Sequence, residues 1–183
     1  MKINQETFNQ IYKDYNLLIY NVALNYVQNV EDAEEITQDV FVKIYNSFDN
    51  FNNKSSIKTW IYRIAINQSL DFLKRKNSQK HFFIFGIKSQ NKDEYLNITS
   101  FEHPGILIEN QENAKILFQT INTLTENQKT AFLLSKLDGL SNPEIAEIMQ
   151  LSISSVESLI FRGKRILQER LSTKFIEYRK KQN

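Results

Sequence analysis

The chain has 183 residues, of which 41% are hydrophobic and 24% are charged, and its formal net charge is +2. The absence of cysteine excludes disulfides and thiolate metal sites, and no apolar run approaches the about 18 residues that cross a membrane. The amino terminus, MKINQETFNQ, lacks the apolar core of a signal peptide. We therefore expect a cytoplasmic protein without membrane insertion. Four glycines and two prolines favour long helices.

The first part of the chain predicts three amphipathic helices. Apolar residues recur at three- and four-residue steps over residues 8–26, which is the helical period. A second helix is expected from about Glu31, with Asn29 as its cap and acidic residues in the first turn, where the helix dipole favours them. A third is predicted over 57–76. The predicted buried stripe of the second helix is Ala33, Ile36, Val40 and Ile44.

The middle of the chain is patterned differently. Periodicity fades after residue 77, and Gly86, Pro104 and Gly105 interrupt the chain. We expect an all-α protein of two small helical domains, 1–77 and 113–183, joined by a flexible acidic linker over 78–112. One stretch does not fit a solvated linker, because HFFIFGIK at 81–88 is strongly apolar. We expect it to dock on the first bundle or on a partner.

The second domain predicts a helix-turn-helix motif. Leu117, Ile121 and Leu124 give one helical face, and the TENQ capping box at 125–128 opens a helix that Gly139 can close. The Ser-x-x-Glu capping box at 141–144 then opens a short helix, which a tight turn links to a longer one. In such motifs the second helix enters the major groove of DNA.

The longer helix has one apolar and one polar face. Its start is ambiguous, because Ser152 and Ser154 are both good caps. Basic residues continue to Lys181 and would bind phosphates. A hairpin with a solvated basic face is the alternative, but the capping boxes and the turn favour DNA binding. The apolar face consists of Val156, Ile160, Gly163, Leu167 and Leu171; the polar face of Ser155, Ser158, Arg162 and Arg165, flanked by Glu157, Phe161 and Lys164.

Two further surfaces belong to the first domain. On the third helix, an aromatic, cations and amides share a face of the kind that holds unstacked single strands. The equally weighted alternative is that its tryptophan is core. On the second helix, an acidic ridge with an apolar rim could dock on a basic protein surface, although an acidic helix start needs no function. The first face is Trp60, Arg63, Asn67, Asp71 and Lys74; the ridge is Glu35, Gln38, Asp39 and Val42.

Taken in order, these segments resemble a bacterial sigma factor of the extracytoplasmic-function (ECF) type over almost the whole chain. The resemblance rests on EDAEEITQDVFVKIYNSF, on Trp-x-Tyr-Arg-Ile-Ala-x-Asn within the third helix, and on Leu-Asp-Gly-Leu-Ser-x-x-Glu-Ile-Ala after the linker. It implies two helical domains, sigma-2 and sigma-4, that bind core RNA polymerase at the largest-subunit clamp helices and at the flap. It also implies promoter DNA as a partner, and an anti-sigma factor as a family expectation.

The resemblance also implies individual roles. Glu35, Gln38 and Asp39 match the ridge that docks on the clamp helices. Asn67 matches the position that reads a flipped base of the melted minus-ten element, and the loop 50–56 would form part of the pocket. Trp60 and Arg63 match pattern positions of that helix, which makes Trp60 mostly structural. The residues that match the helix entering the minus-thirty-five element are Ser154, Ser155, Glu157, Ser158, Phe161 and Arg162.

The chain departs from the family pattern at two positions. Many members carry Arg where this chain has Glu157 and Leu159, which implies a different upstream sequence preference, with Glu157 accepting a hydrogen bond from cytosine. No phosphate loop, catalytic triad or metal cluster is evident in the sequence, so we expect neither a cofactor nor enzyme activity. Two rival hypotheses are a helix-turn-helix regulator whose N-terminal bundle dimerises or senses a ligand, and an interaction module that uses the acidic ridge alone.

Overall fold

The computed structural model describes residues 3–51, 55–85 and 111–182, with the side chains of 79–85 and those beyond 173 outside the description. Its secondary structure is helical throughout these ranges, as predicted. Contacts divide the chain into two units, Met1–His103 and Pro104–Asn183. No helix in the described ranges is long and apolar enough to span a membrane. The helices are α1 Gln5–Val27, α2 Val30–Ser47, α3 Ile57–Phe85, α4 Gln111–Ile121, α5 Glu126–Lys136, α6 Asn142–Met149 and α7 Ile153–Gln182, with a 3-10 turn at Phe48–Asn50.

The first unit begins with a sharp reversal between α1 and α2. Gln28 adopts a left-handed conformation with φ 51°, and its buried side-chain amide donates to the carbonyl oxygens of Asn25 and Tyr26 at 2.8 and 3.0 Å. Asn29 then caps α2, because its side chain accepts from the Asp32 N–H at 2.9 Å. The predicted cap is therefore confirmed, and the short connection packs α2 directly against α1.

The core of the first unit lies between α1, α2 and α3. The predicted stripe of α2 is confirmed, since all four of its residues are buried. Burial of an aliphatic side chain of this kind contributes about 1.5–3 kcal/mol, and this contribution holds the three helices together. The fully buried residues that meet here include Ile19 and Val22 of α1, Ile36, Val40 and Ile44 of α2, and Ile61 of α3.

Helix α3 differs from its sequence prediction at the C-terminal end. The predicted end near Lys76 is wrong, because the helix continues to Phe85. The segment NSQKHFFIF contains no glycine or proline, so fading periodicity was a poor stop signal, and the first breaker is Gly86. Residues 81–85 of the apolar HFFIFGIK segment thus belong to α3. Its side chains and residues 86–110 lie outside the described part of the chain, so the docking of this segment and the linker bounds stay predictions.

In the second unit, local signals open and close α5 as predicted. The Thr125 N–H donates to the Gln128 side chain at 3.2 Å, and the Gln128 N–H donates to the Thr125 hydroxyl at 3.4 Å. Gly139 has φ 67°, a left-handed conformation that suits glycine at a helix end. The prediction for Leu117 is wrong: it is exposed. Helix α4 instead buries its Ala114, Phe118 and Ile121 face, which follows the helical repeat.

The two helices of the helix-turn-helix motif meet at a tight turn. The Ser141 N–H donates to the Glu144 carboxylate at 2.8 Å, which completes the predicted capping box. Gln150 ends α6 in a left-handed conformation with φ 56°. The Ser155 N–H then donates to the Ser152 hydroxyl at 3.2 Å, so Ser152 rather than Ser154 caps α7.

The buried stripe of α7 sets its rotation against the rest of the unit. Val156, Gly163 and Leu167 are buried and Ile160 is half-buried, as predicted from their spacing. Gly163 lies close to the start of α5: a Cβ atom there would stand 3.7 Å from Leu124 Cδ1 and 3.8 Å from the Gln128 carbonyl oxygen. These are ordinary van der Waals distances, so the space admits a methyl group.

We expect Gly163→Ala to raise the free energy of unfolding of the second unit by about 0.5–1 kcal/mol, because alanine restricts the unfolded chain and suits a helix interior. Gly139→Ala, at φ 67° with open space around it, should destabilise the unit by about 1–2 kcal/mol because only the backbone is strained there. Urea unfolding followed by circular dichroism measures both. Fluorescence of Trp60, the single tryptophan, reports the first unit and should not change. Destabilisation by Gly163→Ala would contradict the packing described.

Lys129 is a buried cation of α5. Only 7% of its surface is exposed, and Nζ donates to the Asn122 side-chain oxygen at 2.7 Å across the turn that joins α4 to α5. Burial lowers the pKa of Lys129 to about 8 from an ordinary 10.5, because the charged ammonium loses its hydration. The folded unit therefore releases this proton at a lower pH than the unfolded chain does.

This pKa predicts a pH-dependent stability. Between pH 8 and 10.5 the unfolded chain holds a proton that the folded unit has lost, so the free energy of unfolding rises with pH across this window. We expect the wild type to gain about 2–3 kcal/mol relative to Lys129→Met over the window, and the variant to be the more stable below it. Urea unfolding at a series of pH values measures the difference. Parallel pH profiles of the two proteins would show that Lys129 is not the group responsible.

Candidate nucleic-acid and polymerase interfaces

The outer face of α7 is exposed in the described part of the chain. It lies opposite the buried Val156, Gly163 and Leu167, so the side chains on it extend away from the unit's own core. Phe161 on this face is 68% exposed. The predicted contact residues of this helix are all exposed: Ser154, Ser155, Glu157, Ser158, Phe161, Arg162, Lys164 and Arg165.

Two of the cations on this face make contacts along their own helix. Arg162 Nε donates to the Ser158 carbonyl oxygen at 3.1 Å. Arg165 pairs with Glu169 at 3.4 Å, one turn further on, with both side chains more than 60% exposed. An exposed ion pair of this type contributes only about 0–1 kcal/mol. Both arginines can therefore turn to phosphate groups at little cost.

Glu157 is connected to the other helix of the motif. Its Oε1 accepts a hydrogen bond from Asn142 Nδ2 at 3.4 Å. This distance is longer than the roughly 2.7–3.2 Å of an ordinary N–H···O bond, so the contact is weak. Sequence reasoning missed Asn142. It follows the capping residue Ser141 directly, so its place in the first turn of α6 was predictable, but its proximity to α7 was not.

The predicted face of α3 contains exposed polar side chains and a tryptophan that packs against neighbouring aromatic rings. Asn67 and Lys74 are exposed together with Asp71, whereas Trp60 and Arg63 are half-buried. The Trp60 ring lies 5.2 Å from that of Phe51 and 6.1 Å from that of Phe48, between ring centroids. Such contacts favour the structural interpretation of Trp60.

The loop before α3, which was predicted to form part of a base pocket, is described only in part. Residues 52–54 of the loop 50–56 lie outside the described part of the chain. Of the remainder, Ser56 caps the start of α3, since its hydroxyl accepts from the Thr59 N–H at 3.0 Å. The contribution of this loop to a base pocket therefore stays a prediction. Sequence reasoning missed Phe48 and Phe51 as partners of Trp60, although the FDNF spacing places one aromatic on each side of a turn.

The acidic ridge of α2 is exposed along its length. Glu35, Gln38 and Val42 are exposed, with 59% of Val42 accessible. Asp39 is half-exposed and lies 3.7 Å from the Arg75 guanidinium of α3, whose side chain is 60% exposed. The ridge therefore combines carboxylates, an amide and an apolar side chain with one internal counter-ion, which sequence reasoning missed.

Comparisons with known proteins agree with this geometry. The family model described as Sigma-70 region 2 matches residues 11–79, and the model described as Sigma-70, region 4 matches residues 114–167. The ECF RNA polymerase sigma-E factor of Haemophilus influenzae is 30% identical over 169 residues, which cover 92% of this chain and 89% of that protein. The chain belongs to the ECF sigma factors. The sigma-E factor of Escherichia coli K12 is likewise 30% identical, over 93% of this chain and 89% of its own length.

Two solved structures share the fold of this sigma factor. The sigma factor RpoE from Bartonella quintana, crystallised with the anti-sigma factor NepR, aligns with a TM-score of 0.66 and 21% identity over 91% of this chain and 98% of its own. CnrH, solved in complex with the cytosolic domain of CnrY, aligns with a TM-score of 0.64 and 20% identity over 93% and 90%.

The candidate surfaces fall within the two matched regions of the chain. The region 2 match contains the acidic ridge of α2 and the Asn67 face of α3, and the region 4 match contains α6 and the exposed face at the start of α7. The family predicted from the sequence is therefore confirmed, together with the function of an RNA polymerase sigma factor of ECF type.

Proposed function

We propose that this sigma factor docks on core RNA polymerase through the ridge of α2 and reads promoter DNA with α3 and α7. The observation that carries the proposal is the placement of the candidate side chains. Apart from the half-buried Trp60 and Arg63, they lie in both units on the side of a helix opposite the side that is buried in the core of its own unit. Their positions are thus set by packing, and their functional groups remain accessible.

The ridge suits a basic surface with an apolar centre. Carboxylates at Glu35 and Asp39 supply charge, which speeds encounter and sets register, while the exposed Val42 supplies apolar area. The Arg75 partner of Asp39 is itself largely exposed, so its competition is weak. These properties support docking on the clamp helices of the largest polymerase subunit, with region 4 contacting the flap.

The DNA contacts divide into phosphate binding and base reading. Arg162, Lys164 and Arg165 supply cations for phosphates, and the serines at the start of α7 reach base edges in the major groove of the minus-thirty-five element. In region 2, the exposed amide of Asn67 is suited to a flipped base of the minus-ten element.

The contacts act together. Each is modest, and their affinities combine once the polymerase sets their spacing. Strand opening is then favoured by trapping unstacked bases rather than by a chemical step. In this proposal the protein acts as a binding factor and not as an enzyme, and it works in the cytoplasm. The solved complex of the similar sigma factor RpoE with the anti-sigma factor NepR supports an anti-sigma factor as a further partner of this chain.

The docking is tested by Asp39→Arg in run-off transcription with bacterial core polymerase on a pool of promoters. We expect specific transcripts from the wild type and a loss of at least tenfold from the variant, because reversing an interfacial charge costs about 2–5 kcal/mol. Glu34→Arg is the matched control, since it makes the same charge change on the same helix. Glu34 lies towards α1, where burial and, second, its carboxylate raise the pKa of Tyr20.

A double variant separates docking from internal pairing. Asp39→Arg with Arg75→Asp restores an ion pair between α2 and α3 in reversed polarity, yet it leaves the ridge with the wrong charge. We expect it to remain inactive. Recovery of transcription would show that Asp39 acts within the protein. Binding of promoter DNA by the free protein, with neither transcripts nor co-elution with polymerase, would favour an ordinary helix-turn-helix regulator instead.

The phosphate contacts of α7 are tested by salt dependence. Replacing Arg162, Lys164 or Arg165 with glutamine should reduce the slope of log affinity against log salt by about 0.9 for each phosphate that the variant no longer neutralises. The affinity to measure is that of the holoenzyme for a promoter fragment. Lys115→Gln removes an exposed cation from α4 and serves as the control, with an unchanged slope expected. Equal slopes for all the variants would exclude these cations from phosphate binding.

A further inference from the structure

We propose that Glu157, oriented by a weak hydrogen bond from Asn142, selects a cytosine in the minus-thirty-five element. This inference rests on the proposed docking of α7 in the major groove. It extends the cytosine contact expected from the sequence by giving Asn142, on the other helix of the motif, the role of positioning Glu157.

The geometry places a carboxylate beside the reading face. Glu157 lies in the second turn of α7, three residues after Ser154 and four before Phe161, and all three side chains are exposed. Asn142 is the first residue of α6, and its Nδ2 donates to Glu157 Oε1 at 3.4 Å. A carboxylate has two acceptor oxygens. The second oxygen can therefore accept from a partner in the groove while the first is held by Asn142.

The chemistry of the major groove then selects one base. A carboxylate only accepts hydrogen bonds, so it needs a donor on the base edge. Guanine presents two acceptors, and thymine presents an acceptor and a methyl group. Adenine presents its amino donor beside the N7 acceptor, which repels a carboxylate, whereas cytosine presents its amino donor without that neighbour. Cytosine is the base that best satisfies Glu157.

The other bases are rejected rather than merely bound less well. Insertion of α7 into the groove takes water away from the Glu157 carboxylate, and a desolvated charge without a donor is strongly unfavourable. Specificity of this kind arises from penalties on the wrong sequence. The hydrogen bond from Asn142 limits the rotamers of a long side chain before DNA arrives, which lowers the entropic cost of ordering it.

The test is selection of transcribed promoters from a pool with a randomised upstream element, using core polymerase and full-length protein. We expect the wild type to enrich cytosine at one position by about tenfold or more, the lower part of the range for a good base contact. Glu157→Gln should shift that same position to adenine, because an amide pairs with its amino group and N7 together. Unchanged base preference in Glu157→Gln, or no cytosine preference in the wild type, overturns the assignment.

Asn142→Asp tests the positioning role. An acidic residue suits the first turn of α6, so folding should be retained, but the variant has a like charge where the wild type has a donor to Glu157. We expect cytosine enrichment to fall by about threefold, as for the removal of one weak hydrogen bond. Enrichment equal to that of the wild type overturns the role of Asn142. If the wild type gives no specific transcripts at all, the proposed function fails and this inference fails with it, whereas specific transcripts without the base shift overturn the inference alone.

Discussion

The rotation of α7 is the constraint on which the rest of the second unit depends. Helix α7 buries Val156, Gly163 and Leu167 against its own unit, so its opposite side is exposed. At Gly163, α7 lies beside Leu124 and the start of α5, at distances that leave room for a methyl group. The exposure of Arg162 and Phe161 follows from this packing. The orientation of the proposed recognition face is thus set by apolar contacts within the unit.

The electrostatics of the protein are local. A net charge of +2 gives no strong overall attraction to nucleic acid, so affinity must come from patches. The described patches are engaged in weak internal contacts, such as Arg165 with Glu169 and Arg75 with Asp39. Exposed pairs of this strength keep long side chains ordered without competing seriously with a partner. The same arrangement lets one protein present an acidic surface on α2 and a basic one on α7.

How much the sequence predicts depends on how far apart the interacting residues are. The caps Asn29 and Ser141 and the buried stripe of α2 were predicted correctly, because the partners lie within a turn or repeat with the helical period. The predicted end of α3 was wrong, because a fading apolar periodicity does not end a helix in the way that glycine or proline does. The contacts between Asn142 and Glu157 and between Arg75 and Asp39 join different helices, and only tertiary packing brings them together.

The exposed candidate residues cannot be explained by packing, as the core residues can. A fold can be predicted from residues whose type suits their local structure and burial. Glu157 is different, because it places a negative charge on a helix that is proposed to bind a polyanion. Near phosphates a carboxylate is repelled unless it meets a donor. If α7 docks as proposed, the position of Glu157 beside the Asn142 amide of α6 is better explained by recognition of a base than by affinity for the backbone. In the proposed function, the neighbouring cations supply affinity for the DNA backbone and Glu157 supplies sequence specificity.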